Sequence, residues 1–210
     1  MCSIDVLIPT HNRPRLFQRC LRSVLGIAPS GVKVIVNNDT HDVESAGCEM
    51  HYNRFNSLTE IYAFLAGQSE AEYIYFLEDD DVLGKGFFNA FSDAEKTDLI
   101  LGGYITTDFP AYTHNPYVFD LDFENFQLGQ VIFKRQLFLS CLADTWSDRC
   151  NGNCIHTDYY IYLQARKRGT ATYTGRIFYR QTADGRDNLS FPEFTDLSKC
   201  KNCDVPHILS

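Results

Sequence analysis

Four consecutive acidic residues, Glu78-Asp79-Asp80-Asp81, follow directly on the apolar run Tyr73-Ile74-Tyr75-Phe76-Leu77. Two unit charges about 4 Å apart repel by about 4 kcal/mol at an effective dielectric constant near 20, so a chain that keeps four carboxylates together needs a compensating partner beside them. Hard divalent ions supply one, since magnesium and manganese prefer oxygen ligands, take one or two protein carboxylates and fill their other positions with water and phosphate oxygens. The chemistry within reach of such a turn is the handling of a phosphate-bearing substrate. A solvated acidic turn is the plainer reading of the same run. Its place after a strand-like segment favours the first, because ligands of open α/β sheets bind beyond the carboxyl ends of the strands.

The elements that must position this turn are readable around it. Ile4 to Ile8, Val32 to Val36, Tyr73 to Leu77, Leu99 to Leu101, Val131-Ile132-Phe133 and Ile177 to Tyr179 read as strands. Leu16, Phe17, Cys20, Leu21, Val24 and Leu25 recur with helical spacing as far as a stop at Gly26. Ser57 and Glu60 form a capping-box signature for a second helix, with Leu58, Ile61, Tyr62 and Leu65 toward the sheet. Phe87 to Glu95 and Asp158 to Lys167, the latter closed by Gly169, read as further helices. This alternation predicts an α/β fold with a Rossmann-like, largely parallel central sheet flanked by helices. Tyr104 to Gln130 is aromatic, contains proline and reads as an irregular connection of the kind that builds binding loops.

At 210 residues and 44% hydrophobic content the chain suits one domain with a sizeable core. No stretch approaches the roughly 20 apolar residues of a membrane span, and the first strand begins within three residues of Met1, so a cytoplasmic protein without signal peptide is expected. The net charge of -8 argues against wholesale coating of nucleic acid. The charge is uneven, however: residues 1–140 hold 10 basic and 19 acidic side chains, giving -9, and residues 141–210 hold 9 and 8, giving +1. Arg149 to Arg186, with seven basic and two acidic residues, leaves room for a local basic surface.

Three predicted strand ends carry polar groups to one sheet edge: Pro9-Thr10 with Arg13, Asn37-Asn38-Asp39, and Glu78 to Asp81. In order, spacing and context these resemble the family 2 glycosyltransferases of the GT-A fold. Those enzymes open with a Pro-Thr-x-Asn-Arg type strand end and continue with Val-x-Asp-Asp and Phe-Leu-Asp-x-Asp-Asp strand ends. The resemblance runs from Ile4 to about Ser190. It implies a single GT-A domain over 1–210, with a nucleotide-sugar and metal-binding half at about 1–103, an acceptor-side half at about 104–190 and a tail at 191–210.

The resemblance further places Pro9, Thr10 and Arg13 near the nucleotide and Asn37 or Asn38 at the base, with UDP as the expected nucleotide. The family usually has Asp where Asn37 stands; an Asp only accepts, as uracil N3–H requires, whereas an amide both donates and accepts. Glu78, Asp80 and Asp81 are expected to hold manganese or magnesium, Asp80 most directly, with Asp79 in support. Arg15, Arg19 and Arg22 read also as a solvated helix face. His156-Thr157-Asp158-Tyr159 looks like the family's Glu-Asp helix start, making Asp158 the catalytic base, although helix capping explains an Asp there too. Tyr179-Arg180 and Asn188-Leu189-Ser190 resemble a segment that closes over the diphosphate. The histidine often found in that segment is replaced by Gln181-Thr182, which leaves phosphate contact to Arg180 or Arg186.

The reaction implied is inverting transfer of a sugar from a nucleotide diphosphate sugar to a hydroxyl. Acceptors allowed by the resemblance include a glycan, a lipid-linked sugar, a protein and a hydroxymethylated base of viral DNA, the last placing the protein in the host cytoplasm. Two other classes use the same residues. A sugar-phosphate nucleotidyltransferase would want a glycine-rich phosphate loop after the first strand, where none is evident. A non-catalytic sugar- or calcium-binding module would need no Asp158.

Cysteine spacing adds a separate expectation. Cys150-x3-Cys154-x-His156 and Cys200-x2-Cys203-x3-His207 have ligand-like spacing and together could close a structural zinc site, with reduced cysteines or disulfides as the alternative. Cys2, Cys20, Cys48 and Cys141 read as small core or surface residues.

Overall fold

The computed structural model describes residues 2–40, 45–55, 57–106, 117–119, 121, 126–148 and 157–182, with backbone alone at 143–148. In chain order the elements are β1 (Ile4–Thr10), α1 (Pro14–Leu25), β2 (Val34–Asn38), β3 (Glu49–His51), α2 (Leu58–Gln68), β4 (Tyr73–Phe76), β5 (Val82–Leu83), α3 (Phe87–Asp93), β6 (Leu99–Thr106), β7 (Tyr117–Val118), a 3-10 turn (Leu128–Gln130), β8 (Val131–Lys134), α4 (Arg135–Asp148), α5 (Thr157–Arg168) and β9 (Ala171–Gln181).

The strands form one sheet of nine in the order β3-β2-β1-β4-β8-β6-β9-β5, with β7 beside β6. β5, β7 and β8 run against the other six, so the sheet is mixed and mostly parallel. β1 is buried along its whole length, as expected of a parallel strand covered on both faces. Alternate residues of β1 and β4 feed two cores. Val6, Ile8, Tyr73 and Tyr75 meet Phe17, Leu21 and Val24 of α1 and Phe87 and Phe91 of α3. Leu7, Ile74 and Phe76 meet Ile61 and Leu65 of α2, Phe138 of α4 and Ile161 of α5 on the other face. The result is a three-layer α/β/α sandwich.

Several local signals act as anticipated. Gly26 closes α1 with its N–H on the Arg22 carbonyl at 3.0 Å; Pro14, a signal outside the sequence expectation, opens it where its missing N–H costs nothing. The Ser57 hydroxyl accepts the Glu60 N–H at 3.2 Å and caps α2. Gly169 donates to the Ala165 carbonyl at 2.8 Å where α5 ends. A Cβ on that glycine would lie 2.7 Å from Leu137 Cδ2, so the stop is also a close approach to α4.

Other expectations need correction. β6 continues past Leu101 to Thr106 through Gly102 and Gly103, because Phe178 of β9 and the Val118 carbonyl of β7 occupy the space a Cβ would need, at 2.6 and 2.5 Å. The stretch from Tyr104 to Gln130 therefore contains the end of a strand, the short β7 and a 3-10 turn rather than being irregular throughout. β9 spans eleven residues, far longer than Ile177 to Tyr179, and α4 follows β8 with no turn between them.

Candidate functional site

Register alone brings three strand ends to one edge. β1 and β2 run parallel with Pro9 opposite Asn37 and Thr10 opposite Asn38, while Leu7 lies opposite Phe76 of β4. The chain leaves β4 at Leu77 and turns at once, the Asp81 N–H bonding the Glu78 carbonyl at 3.1 Å. All four carboxylates thus stand beyond the carboxyl ends of β1, β2 and β4, beside the N-terminus of α1.

Each acid has its own environment. Asp79 is buried, accepts the Thr10 hydroxyl at 2.8 Å and lies 3.4 Å from Arg13 Nη1. Asp80 is half-buried, and its Oδ2 pairs with Arg13 Nη1 at 2.6 Å; its Oδ1 takes none of these contacts. Asp81 is buried, with its Oδ1 accepting the Thr182 N–H at 3.3 Å. Glu78 is half-buried and couples electrostatically to the Tyr62 hydroxyl of α2.

Two residues outside the sequence expectation build the turn. Arg19 donates from Nη2 to the Asp80 carbonyl at 2.7 Å and to the Thr182 hydroxyl, and that hydroxyl donates to the same carbonyl. The solvated-face reading of Arg19 is thereby corrected: it is half-buried because the turn of β4 lies over α1. Arg15 and Arg22 are exposed, as that reading has it. Behind the turn, β5 pairs with β9 through Val82 opposite Arg180, and the Gly84 N–H bonds the Phe178 carbonyl at 2.7 Å. Segments 80–84 and 178–182 are one stitched unit, with Arg180 on its exposed side.

Crowding and burial show in the electrostatics. Desolvation first, then Asp80 and Asp79, push Glu78 up to about 8, against the pull of Arg13. Desolvation pushes Asp79 up to about 6 although Arg13 and the Thr10 hydroxyl hold it down. Asp81 is raised well above the usual carboxylate range by desolvation and its acidic neighbours. Burial works to lower the Arg13 guanidinium, but Asp79 and Asp80 outweigh it and keep it more firmly protonated than usual. Burial is the first cause of all three carboxyl shifts, and the crowding of the acids adds to it in each.

Asp158 stands in the first turn of α5, on the opposite helical layer from Arg13. It is half-buried, its Oδ1 accepts the Tyr159 N–H at 2.8 Å, and desolvation raises it to about 6. Its field reaches both Glu78 and the Tyr62 hydroxyl. The fold therefore brings this helix start to the acidic strand end, some 80 positions away in sequence. A carboxylate titrating near 6 is matched to accepting a proton near neutral pH.

At the β2 end, Asn37 is buried and spends its amide on one backbone residue, donating to the Asn53 carbonyl at 3.0 Å and accepting the Asn53 N–H at 3.2 Å. An Asp there would keep the second bond and lose the first. Asn38 is fully buried and its Oδ1 accepts both the N–H and hydroxyl of Thr40, at 3.2 and 3.0 Å. His11 Nδ1 meets Asp39 Oδ1 at 2.7 Å, tying the β1 and β2 loops together.

Among the described residues no three Asp, Glu, His or Cys side chains converge as a metal cage. The donor set instead fits an ion that needs few protein ligands. Glu78 and Asp80 are the two half-buried acids of the turn, both oxygen donors, in a cluster of four acids with one close arginine, and magnesium and manganese take one or two carboxylates with phosphate oxygens completing the shell. Cys150, Cys154, His156, Cys200, Cys203 and His207 lie outside the described residues, as do Arg186 and Asn188 to Ser190. Cys20 and Cys141 are buried, and Cys2 and Cys48 half-buried, as expected of small core and surface residues. No helix among the described residues is long and apolar enough to cross a membrane.

No family model matches the sequence, and no curated protein matches it. Solved structures do match. The crystal structure of S. aureus TarS 1-349 superposes with a TM-score of 0.64 at 15% identity, over 91% of this chain and 63% of that one. The chain has a GT-A-type fold. The same TarS fragment in complex with UDP-GlcNAc gives a TM-score of 0.61 at 14% identity, over 85% of this chain and 58% of that one. The GT-A-type chain thus spans less than two thirds of the TarS fragment. Bifunctional IspDF from Campylobacter jejuni matches at 0.53 and 13% identity, over 82% of this chain and 49% of that one, so a GT-A-type sheet alone leaves the reaction to be argued from the site.

Proposed function

We propose that the chain is a metal-dependent, inverting glycosyltransferase that moves a sugar from a nucleotide diphosphate sugar to a hydroxyl acceptor. The observation that carries this reading is that Asp158, in the first turn of α5, lies within electrostatic reach of Glu78 at the carboxyl edge of a sheet whose fold is shared with TarS, a protein solved with UDP and with UDP-GlcNAc. UDP is accordingly the expected nucleotide and UDP-GlcNAc the first donor to try.

In this reading Thr10, Pro9 and Arg13 border the nucleotide, and Asn37 and Asn38 shape the loop against which the base lies. Arg180 is the nearest described arginine for the diphosphate on the β9 side. Glu78 and Asp80 would hold manganese or magnesium with diphosphate oxygens, while Asp79 and Asp81 keep the turn in shape. The ion, when bound, supplies neutralisation of the charge gathering on the leaving diphosphate. Asp158 accepts the proton of the acceptor hydroxyl as that oxygen bonds to the anomeric carbon. The bond from that carbon to the diphosphate oxygen breaks, its electron pair leaving with the nucleotide. Attack from the face opposite the leaving group inverts the anomeric centre. The acceptor classes to screen are glycans, proteins and hydroxymethylated DNA.

The test is a panel of nucleotide sugars with manganese, read by thermal shift and by slow donor hydrolysis, on the native chain and on Asp80→Ala. One donor should stabilise the native chain only with metal, and Asp80→Ala should lose that stabilisation. A chain indifferent to every nucleotide sugar is no glycosyltransferase.

A further inference from the structure

The acidic turn carries a cation of its own. Among the described residues, Arg13 is the one Lys or Arg whose side chain lies within 4.0 Å of a carboxylate of the turn, at 2.6 Å from Asp80 Oδ2 and 3.4 Å from Asp79 Oδ1. Its Nε is buried without a hydrogen-bond partner, so the present pairing leaves one N–H of the guanidinium fork unmet.

The rest of the turn is held by other groups. Asp79 is fixed by the Thr10 hydroxyl, Asp81 by the Thr182 N–H, and the Asp80 carbonyl by Arg19 and the Thr182 hydroxyl. What can trade partners without moving the backbone is the Asp80 side chain, and the partner it would give up is Arg13.

We infer that Arg13 is an exchangeable counter-cation: its guanidinium holds Asp80 until a divalent ion takes that carboxylate, and it then turns to the diphosphate of the donor. This rests on the metal-dependent glycosyltransferase reading above. A divalent ion on a carboxylate that still held the guanidinium through Oδ2 would set two cations side by side, and their repulsion favours release of the guanidinium. A diphosphate, in contrast, accepts the planar fork two bonds at a time and offers an acceptor for the unmet N–H. Arg13 thus opposes metal binding in the empty protein and supports donor binding once the metal is in. By linkage, metal and donor must then raise each other's affinity by the same factor.

The test is a titration of Mn²⁺, followed by the electron paramagnetic resonance of the free ion, with and without UDP. In the native chain UDP should tighten Mn²⁺ binding by a factor within the roughly 5- to 150-fold range of site-to-site couplings. In Arg13→Gln, Mn²⁺ alone should bind at least about five-fold tighter than to the native chain, and the gain from UDP should shrink by a similar factor. Arg15→Gln, which removes the same charge from an exposed neighbour, should stay within about two-fold of the native chain, as expected of a screened surface charge. Equal or weaker Mn²⁺ binding in Arg13→Gln, or the same gain in Arg15→Gln, overturns the exchange. Should Arg13→Gln fail to fold, Arg13→Lys decides: the charge stays and the fork is lost. Metal-alone affinity then stays within about two-fold while the gain from UDP falls at least about three-fold; an unchanged gain overturns the inference. A different result, Mn²⁺ affinity that is the same in native chain and Asp80→Asn with and without UDP, would remove the metal-dependent reading itself.

Discussion

β1 has a single buried carboxylate at its start and four acids beyond its end, and the two ends are built on opposite plans. At its start, buried Asp5 accepts the Ser69 hydroxyl at 2.7 Å and the Lys33 N–H at 3.1 Å, so neutral donors from the end of α2 and the approach to β2 satisfy both oxygens. At its far end four acids share one close arginine, and three of them hold their protons above the ordinary range. The first arrangement is a joint. It locks the strand to its neighbours and has no charge left to spend. The second gathers, where the sheet opens, carboxyls that burial and crowding keep protonated above the ordinary range, and perturbed groups of this kind mark candidate sites.

The sharpest way to break this contrast is Asp158→Asn, which should lower turnover of the accepted donor by about 10²- to 10⁴-fold, the usual contribution of a positioned base, while donor binding by thermal shift persists. In the native chain turnover should rise with pH through about 6, as this carboxylate ionises. A loss of donor binding together with turnover would make Asp158 a cap and not a base.

Next in size is a stability effect. Glu78 is raised from 4.5 to about 8, so between those values the metal-free fold binds a proton that the unfolded chain has released. Stability should therefore fall as pH rises from about 4.5 to about 8. Glu78→Gln should flatten that slope and lift the midpoint at pH 8, by about 2–4 °C for each kcal/mol recovered. A thermal melt series in chelator decides it, and a variant less stable than native at pH 8 would mean that Glu78 is already compensated. Smallest is the joint: Asp5→Asn should cost about 1–3 kcal/mol in urea unfolding, as for a buried hydrogen-bonding group left unmet, and leave UDP binding untouched. An effect on UDP binding would erase the distinction between the two ends.

Much of this was legible before any coordinates. The strand ends announced themselves because an apolar run broken by Pro9-Thr10, Asn37-Asn38 or Glu78 to Asp81 is a local pattern, and parallel register then aligns such ends automatically. Arg19, Thr182 and Tyr62 were not legible, because their contacts cross 61, 102 and 16 positions of chain and depend on which helix lies over which strand. The Asn37 substitution could be read only as a departure; its reason is the Asn53 backbone, which takes a donor and an acceptor from one amide. Element ends failed where tertiary contact overrides propensity. α4 starts directly on β8, its first N–H at Arg135 already taken by the Glu72 carbonyl at 2.9 Å, and so carries no start signal. β9 alternates polar, exposed residues with a left-handed Gly175 and is held as a strand by β6, not by its own composition.

The two cores have a consequence for how such a chain can change over generations. Arg13 sits at the N-cap of α1 and Arg19 rides on that helix, on one face of the sheet, whereas Tyr62 and Asp158 ride on α2 and α5 on the other. The sheet acts as a partition wall, and the two sets touch across its rim alone. Substitutions that repack one layer shift the residues assigned to the departing group or those assigned to the incoming one, seldom both. On the proposed reading one layer carries the donor-side residues and the other the acceptor-side ones, so repacking either layer leaves the other's residues in place.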